Sequence, residues 1–150
     1  MRLSTMKDSL FEQYIEGNRE KVINIVIPPD INSMIAKQIL SDLDNVYTLI
    51  RYDLSEIETA YQKSESIIRQ CERTKAEGRN EDDRRKNASL YLEEYPAGEN
   101  RTINMYEWNR LLRTRYEMVK ALVQIIENKQ QRLITMNGFL KIDKDLGNQY

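Results

Sequence analysis

Histidine, the side chain that most often moves protons or binds metals near neutral pH, is absent from this 150-residue chain. Catalytic triads that need imidazole and metal sites that need histidine are therefore excluded. The single cysteine, Cys71, provides no pair of thiolates for zinc, and no Gly-x-x-x-x-Gly-Lys-Ser/Thr phosphate loop occurs. We therefore predict a chain without a metal or another cofactor.

Carboxylates are the remaining side chains with acid or base chemistry. Several occur in close pairs, namely Asp42 with Asp44, Glu56 with Glu58, and Glu93 with Glu94. Residues one or two positions apart point in different directions around a helix, so these pairs do not converge on one point. Solvated helix surfaces account for them, and we predict that the chain is not an enzyme.

Basic residues are concentrated in the second part of the chain. Residues 69–150 contain 16 Lys/Arg against 13 Asp/Glu, whereas residues 1–68 contain 7 against 11. The formal net charge of −1 argues against a protein that binds polyanions over its whole surface, but it is compatible with a local basic face. The residues that we expect to contact nucleic acid are Arg69, Arg73, Lys75, Arg79, Arg84, Arg85, Lys86, Arg110 and Arg113.

Two pairs of these cations have helical spacing. Arg69 and Arg73 lie four residues apart, and Arg110 and Arg113 lie three apart, so each pair shares one face of a helix. Such faces can follow a phosphate backbone while aromatic rings stack on bases. The alternative is that the cations pair with the interleaved acidic residues in water. The rings available for stacking are those of Tyr95, Tyr106 and Tyr116.

Two long apolar patterns indicate which elements position these residues. In each pattern, residues recur at alternating spacings of three and four, as in a helix that faces a partner helix along one stripe. The first pattern consists of Ala36, Leu40, Leu43, Tyr47, Ile50, Leu54, Ile57, Tyr61, Ser64, Ile68 and Cys71. The second consists of Met105, Trp108, Leu112, Arg115, Val119, Leu122, Ile126, Lys129, Leu133, Met136 and Leu140. The patterns predict an all-α fold of two long antiparallel amphipathic helices, resembling a coiled coil, with short accessory helices and one extended segment.

The stripe on the first helix is wider than that of a two-stranded coil. It is extended by residues that recur at multiples of seven beside the first pattern, namely Ile39, Val46, Ala60 and Ile67. Arg115 and Lys129 interrupt the second pattern, either to fix the register or the oligomeric state, or as side chains that extend from its edge to water. We predict that an oligomer or partner interface contains Ile39, Val46, Ile67, Trp108, Leu112, Val119, Leu122 and Ile126.

The first 29 residues are predicted to form a short helix and an extended segment. Ser9-Leu10-Phe11-Glu12 is a capping-box pattern, and Gly17 is suited to end a helix after Glu16. Val22-Ile23-Asn24-Ile25-Val26-Ile27 is almost wholly apolar and rich in β-branched residues, as strands are. Its partner would be Thr102-Ile103-Asn104 or the same segment of another subunit; alternatively, it is an extended lead-in whose side chains fill the base of the bundle.

Proline, glycine and capping residues predict the other boundaries. Asp30, after Pro28-Pro29, is expected to cap the first long helix, and Asn104 with Glu107 to cap the second. The second helix should end near Asn137-Gly138, with the apolar residues after it docking back. The predicted divisions of this single helical domain are 30–77 for the first long helix, 78–103 for a short helix and a loop, 104–140 for the second long helix and 141–150 for a frayed tail.

The second long helix also carries a family resemblance. Tyr106-Glu107-Trp108-Asn109-Arg110-Leu111-Leu112, followed by Val119-Lys120-Ala121-Leu122, Lys129 and Arg132, resembles the C-terminal helix of the UvsY family of tailed-phage recombination mediators. The resemblance implies a ring-forming helical protein that binds single-stranded DNA and helps a recombinase to displace single-strand-binding protein. The chain departs from the family in its less basic middle and its apolar segment at residues 22–27.

Three functions are compatible with these patterns. Our first prediction is a non-enzymatic, oligomeric accessory protein of recombination or replication that binds single-stranded DNA and a recombinase or another protein. The alternatives are a structural or assembly protein of a virion or scaffold, and a regulator that binds a partner through an exposed helical groove. Because the sequence contains no signal peptide and no run of about 18 apolar residues, we expect a location in the cytoplasm, that of the host if a phage encodes the chain. We expect neither a membrane nor a small-molecule substrate as a partner.

Overall fold

The structure is a computed structural model, and it describes residues 2–147. Helices make up 81% of it, and the long helices pack together, which confirms the predicted all-α class. After a 3-10 turn at Leu3–Thr5, the elements are α1 (Asp8–Asn24), α2 (Ser33–Thr74), α3 (Glu81–Glu93), β1 (Tyr95–Gly98), β2 (Arg101–Ile103) and α4 (Met105–Gly147).

The chain forms two compact units, and α2 and α4 each contribute to both. Unit 1 contains the described residues 2–54 and 118–147, and unit 2 contains Ser55–Glu117. In unit 1, Tyr47 and Asp44 of α2 contact Glu127 and Gln130 of α4, respectively, so the two helix segments run antiparallel. In unit 2, the pairs Tyr61 with Tyr116 and Ser64 with Asn109 give the same antiparallel direction.

The two apolar patterns form the interior of these units. Every residue of both patterns is buried or half-buried. Leu43 and Ile57 on α2, and Leu112, Val119 and Ile126 on α4, have no exposed surface. Burial of such side chains is worth about 1.5–3 kcal/mol each, so the stripes account for the pairing of the long helices. Arg115 is also buried at its position within the second pattern.

α1 in unit 1 is longer than the sequence pattern indicated. It continues through Gly17 to Asn24, and Lys7, rather than Ser9, is its N-cap residue. The predicted helix end at Gly17 and the predicted strand at residues 22–27 are therefore wrong. Phe11 and Val22 are both buried, and this tertiary burial outweighs the cost of about 1 kcal/mol for glycine within a helix.

The end of α1 is held by a residue that interrupts the second apolar pattern. Lys129 Nζ donates hydrogen bonds to the carbonyl oxygens of Val22, at 2.6 Å, and Ile25, at 2.9 Å. These carbonyls lie at the helix end, where no further turn satisfies them. Burial lowers the pKa of Lys129 from its ordinary value. Lys129 therefore has a structural role in unit 1, because it holds the end of α1.

Asparagine side chains begin the other three helices. Asn32 Oδ1 accepts a hydrogen bond from the Ile35 amide at 2.9 Å, so the residue that caps α2 is Asn32 and not the predicted Asp30. Asn80 Oδ1 accepts from the Asp83 amide at 2.8 Å and begins α3. Asn104 Oδ1 accepts from the amides of Tyr106 and Glu107 at 3.1 and 3.2 Å, which confirms the predicted start of α4.

The segment between α3 and α4 is a hairpin rather than a loop. Tyr95 pairs with Ile103, and Pro96 pairs with Thr102, in an antiparallel ladder. The predicted pairing of Thr102-Ile103-Asn104 with residues 22–27 is therefore wrong. A local hairpin closes a much shorter loop than the distant pairing, which lowers its entropic cost.

α4 does not end near Asn137-Gly138 as predicted. The helix continues to Gly147, and Gly138 does not adopt the positive φ with which a glycine reverses the chain at a helix end. Phe139 and Ile142 are 62% and 55% exposed, so they do not dock back. Of the predicted tail, residues 148–150 lie outside the described part of the chain.

Candidate nucleic-acid interface

All nine cations that we predicted to contact nucleic acid lie in unit 2, and all nine side chains are exposed. Arg69 and Arg73 are on α2, Lys75 and Arg79 follow it, Arg84, Arg85 and Lys86 are on α3, and Arg110 and Arg113 are on α4. Unit 2 contains 12 Lys/Arg and 13 Asp/Glu in total, so these cations do not lie in a uniformly basic field.

Two of the arginines are paired with glutamates one helical turn away. Arg69 lies 3.2 Å from Glu65, and Arg85 lies 2.6 Å from Glu81. Both arginine side chains are largely exposed. Exposed pairs of this spacing are worth only about 0.3–0.5 kcal/mol, so a phosphate can replace the glutamate at low energetic cost.

Glu65 connects Arg69 to the interior of unit 2. One of its carboxylate oxygens accepts a hydrogen bond from the Tyr61 hydroxyl at 2.7 Å, and the other contacts Arg69. The hydrogen bond to Glu65 raises the pKa of Tyr61 above its ordinary value. Glu65 thus partly neutralises the positive charge of Arg69.

Two further cations of this set have intramolecular contacts. Arg84 Nε donates to the carbonyl oxygen of Gly78 at 3.2 Å, which ties α3 to the loop before it. The ammonium of Lys75 lies 4.8 Å from the centroid of the Tyr91 ring, in the geometry of a cation–π contact.

Among the described residues, four of the nine candidate cations have no such contact, and Arg113 has only an electrostatic interaction with Tyr61. Within residues 2–147, no hydrogen bond, ion pair or ring contact involves the side chains of Arg73, Arg79, Lys86 or Arg110. Their charges are balanced by solvent and salt ions, so they release counterions when a polyanion binds. We call these residues the unpaired cations.

Arg69 and Arg73 line one shallow groove along α2, as their spacing predicted. Glu65, Gln70 and Thr74 also border it. A second groove, which we call the α3 groove, has a volume of about 570 Å³ and lies among the end of α2, one face of α3 and the first turn of α4. It is bordered by Glu72, Glu81, Arg84, Arg85, Ala88 and Tyr106.

The three tyrosines predicted to stack on bases have different surroundings. Tyr116 is stacked on Tyr61 with ring centroids 5.8 Å apart, and Tyr95 makes an edge-to-face contact with Tyr91 at 5.9 Å. Tyr106 is half-buried and borders the α3 groove. The sequence does not distinguish among these rings, because the distinction depends on contacts between different helices.

The residues that we predicted at an oligomer or partner interface are covered within this chain. Leu112, Val119, Leu122 and Ile126 are buried, and Ile39 is 9% exposed. Val46 is half-buried, and Ile67 and Trp108 pack against a buried cluster of Cys71, Leu92 and Met105. Because Ala60 is half-buried as well, the stripe through Ile39, Val46, Ala60 and Ile67 is not the exposed apolar groove that a partner-binding regulator requires.

The exposed apolar side chains lie elsewhere, at positions that the sequence analysis did not assign to an interface. Phe139, Ile142 and Leu146 follow one another at spacings of three and four on α4 and are 53–62% exposed. Leu49 and Tyr52 of α2 are 70% and 78% exposed. Their spacing is the signal that could have identified them, since it is helical but out of phase with the two buried patterns.

Among the described residues, no group of three or more His, Cys, Asp or Glu side chains is arranged to hold a metal ion. No helix within residues 2–147 combines the length and the apolar character that crossing a membrane requires.

Comparisons with models of protein families, with curated proteins and with solved structures find no match for this chain.

Proposed function

We propose that this chain is a non-enzymatic accessory protein of DNA recombination or replication that binds single-stranded DNA through unit 2 and acts as an oligomer. The observation that carries this proposal is the set of unpaired cations, Arg73, Arg79, Lys86 and Arg110, within one compact unit. The resemblance of Tyr106–Leu112 and the residues after it to phage recombination mediators supports the more specific role, with a recombinase as the partner protein.

The abundant acidic residues of unit 2 do not argue against this function. Of the nine candidate cations, only Arg69 and Arg85 form ion pairs with other described residues, and both pairs are exposed. Nucleic-acid binding that is driven by counterion release depends on the local arrangement of cations, not on the net charge of the unit. We therefore expect moderate affinity, strong salt dependence and little preference for sequence.

The proposal is tested by fluorescence anisotropy with a labelled oligothymidine and four substitutions in the unpaired cations, R73Q, R79Q, K86Q and R110Q. The matched control removes four exposed cations of unit 1, with K7Q, K37Q, R51Q and K141Q. Both variants lower the net charge by the same amount. We expect the first variant to lose at least tenfold in affinity and the control to lose much less, because the phosphates contact unit 2.

Two outcomes would overturn the proposal. One is that the native protein does not bind the oligonucleotide, or binds it with an affinity that salt does not change. The other is that both variants lose affinity equally, which would show a response to net charge without a defined site. Circular dichroism of both variants establishes that the helices are intact.

A structural or assembly protein is the second candidate, and the exposed stripe of Phe139, Ile142 and Leu146 on α4 favours it. An apolar stripe with helical spacing is the form in which helices associate. This function predicts a large oligomer that persists on dilution and that does not respond to an oligonucleotide. Light scattering across a dilution series, with and without the oligonucleotide, separates it from the first proposal.

A further inference from the structure

We infer that the α3 groove binds one unpaired nucleobase, with Tyr106 as the stacking surface and Arg84 and Arg85 as contacts to the neighbouring phosphates. This inference rests on the proposed function, because the ligand is a single-stranded nucleic acid. It adds a specific base site to binding that would otherwise depend on charge alone.

The choice of Tyr106 follows from the surroundings of the three candidate rings. The Tyr116 ring is already stacked on Tyr61, and the Tyr95 ring contacts Tyr91 edge to face. Tyr106 makes neither kind of ring contact among residues 2–147, and it borders a groove that also contains two arginines. Among these three tyrosines, it is the ring that combines access from a groove with nearby positive charge.

The groove can accommodate the shape of a base. Its volume of about 570 Å³ lies within the range of small-molecule sites. Ala88, on the α3 side, has the smallest side chain that retains a Cβ, so no large side chain fills this part of the groove. Tyr106 packs against the buried cluster of Cys71, Leu92 and Met105, which holds the ring in place before a ligand binds.

The charged groups of the groove are suited to the polar parts of a nucleotide. Arg84 is fixed through its Nε by the Gly78 carbonyl, and this leaves its two terminal amino groups for a phosphate. Arg85 can exchange its exposed contact with Glu81 for a second phosphate. Glu72 and Glu81 repel phosphates, but their carboxylates accept hydrogen bonds from N–H groups of bases, among them the ring N3–H of thymine. Together, the acids provide hydrogen-bond acceptors for a base, and the arginines provide donors for the neighbouring phosphates.

The test compares two oligonucleotides that have the same length and charge, one of thymidines and one of abasic sites. Because stacking on an aromatic ring strengthens binding by about tenfold per base, we expect the native protein to prefer the thymidine strand by about that factor. In Y106L this preference is lost while the affinity for the abasic strand stays the same. In Y106F, which keeps the ring, the preference is retained.

The matched control is Y52L, because Tyr52 is 78% exposed and lies in unit 1. This substitution should leave the preference unchanged. If Y106L unfolds unit 2, a fluorescence measurement with the native protein still tests the base site. A 2-aminopurine placed in the strand should lose fluorescence on binding through stacking, and a R84Q variant should weaken binding to both strands.

The outcomes separate this inference from the proposed function. If the native protein binds both strands equally, or if folded Y106L keeps the preference, the base site is overturned and the cation-dependent binding is not. An absence of 2-aminopurine quenching in a protein that binds the strand also overturns the base site. If the native protein binds neither strand, both the base site and the proposed function are overturned.

Discussion

Asn109 Nδ2 of α4 donates a hydrogen bond to Ser64 Oγ of α2 at 2.8 Å, within the apolar interior of unit 2. Ser64 is 2% exposed, and its hydroxyl donates in turn to the Tyr61 carbonyl at 2.7 Å. A shift of one helix by a turn would separate Asn109 from its acceptor, whereas the Ser64 hydroxyl would keep its bond to the Tyr61 carbonyl within α2. The pair therefore selects one register of α2 against α4, much as buried polar residues do in coiled coils.

We predict that S64A destabilises the protein by about 1–3 kcal/mol, because the Asn109 amide is left without its acceptor in a partly buried position. Urea unfolding followed by circular dichroism measures this change. The double variant S64A/N109L should recover part of the loss, since both polar groups are removed together. Native-like stability of S64A would show that the pair does not set the register.

A second prediction concerns pH and the contact between Tyr14 and Asp53 in unit 1. The Tyr14 hydroxyl donates to the Asp53 carboxylate at 2.6 Å. Burial, with further contributions from the hydrogen bond and the negative charge of Asp53, raises the pKa of Tyr14 well above its ordinary value of 10.0. Since the folded state holds this proton more tightly than the unfolded state, the stabilisation is complete below the ordinary pKa and is lost as the pH rises above it.

We therefore expect Y14F to be less stable than the native protein near neutral pH, and the difference to shrink with increasing pH. Unfolding in urea between about pH 8 and about pH 11 measures both proteins under the same conditions. The other titratable groups are the same in both proteins, so their contributions cancel in the difference between the two free energies of unfolding. A difference that is constant or grows over this range would contradict the assignment of the raised pKa to Tyr14.

Two glycines should respond in opposite ways to alanine. At Gly78, φ is +154°, and an added Cβ would lie 2.6 Å from Asp83 Cβ and 3.0 Å from the Arg84 amide nitrogen. We predict that G78A costs about 1–3 kcal/mol and disturbs the contact of Arg84 with the loop. At Gly17, within α1, an added Cβ meets nothing within 4 Å, so G17A should stabilise the protein by about 0.5–1 kcal/mol.

Thermal unfolding of G78A and G17A, with the native protein as the reference, checks this pair of predictions. The G17A result tests the observed continuation of α1 through Gly17. If G17A is destabilising, α1 ends near Gly17 as the sequence alone indicated. If G78A is neutral, the loop before α3 is not as tightly constrained as its geometry indicates.

Glu65 should weaken nucleic-acid binding locally, because it forms an ion pair with Arg69 in the groove along α2. We predict that E65Q raises the affinity for oligothymidine by about two- to fivefold at low salt, as Arg69 becomes available to a phosphate. E58Q, which removes an equal charge from α2 outside that groove, is the control for the net charge. Equal affinities of E65Q and E58Q would exclude a specific role for Arg69.

The sequence was sufficient to predict the long helices, because their stripes repeat over many turns. It also identified Asn104 as a helix start, since capping is local chemistry. It was insufficient for α1, where the contacts of Lys129 with the Val22 and Ile25 carbonyls join residues more than 100 positions apart. Such contacts decided whether an apolar, β-branched segment became helix or strand.

The sequence also predicted the candidate interface only in part. Composition located the cations in the second part of the chain, and helical spacing placed Arg69 and Arg73 on one groove. The sequence did not show which cations have partners, because these contacts depend on how separate segments pack. Arg84 contacts a carbonyl of the preceding loop, and Lys75 contacts a ring of α3. Nor did the sequence separate Tyr106 from Tyr116, whose ring is covered by Tyr61.

The most direct test of the central claim is the salt dependence of oligothymidine binding in the native protein and in the variant that lacks the four unpaired cations. Each phosphate that these side chains neutralise should contribute about 0.7 to the slope of log affinity against log salt concentration, so the account predicts a slope that is shallower by about 3 in the variant. A variant whose slope equals that of the native protein would contradict the account, because the nucleic acid would then contact other residues.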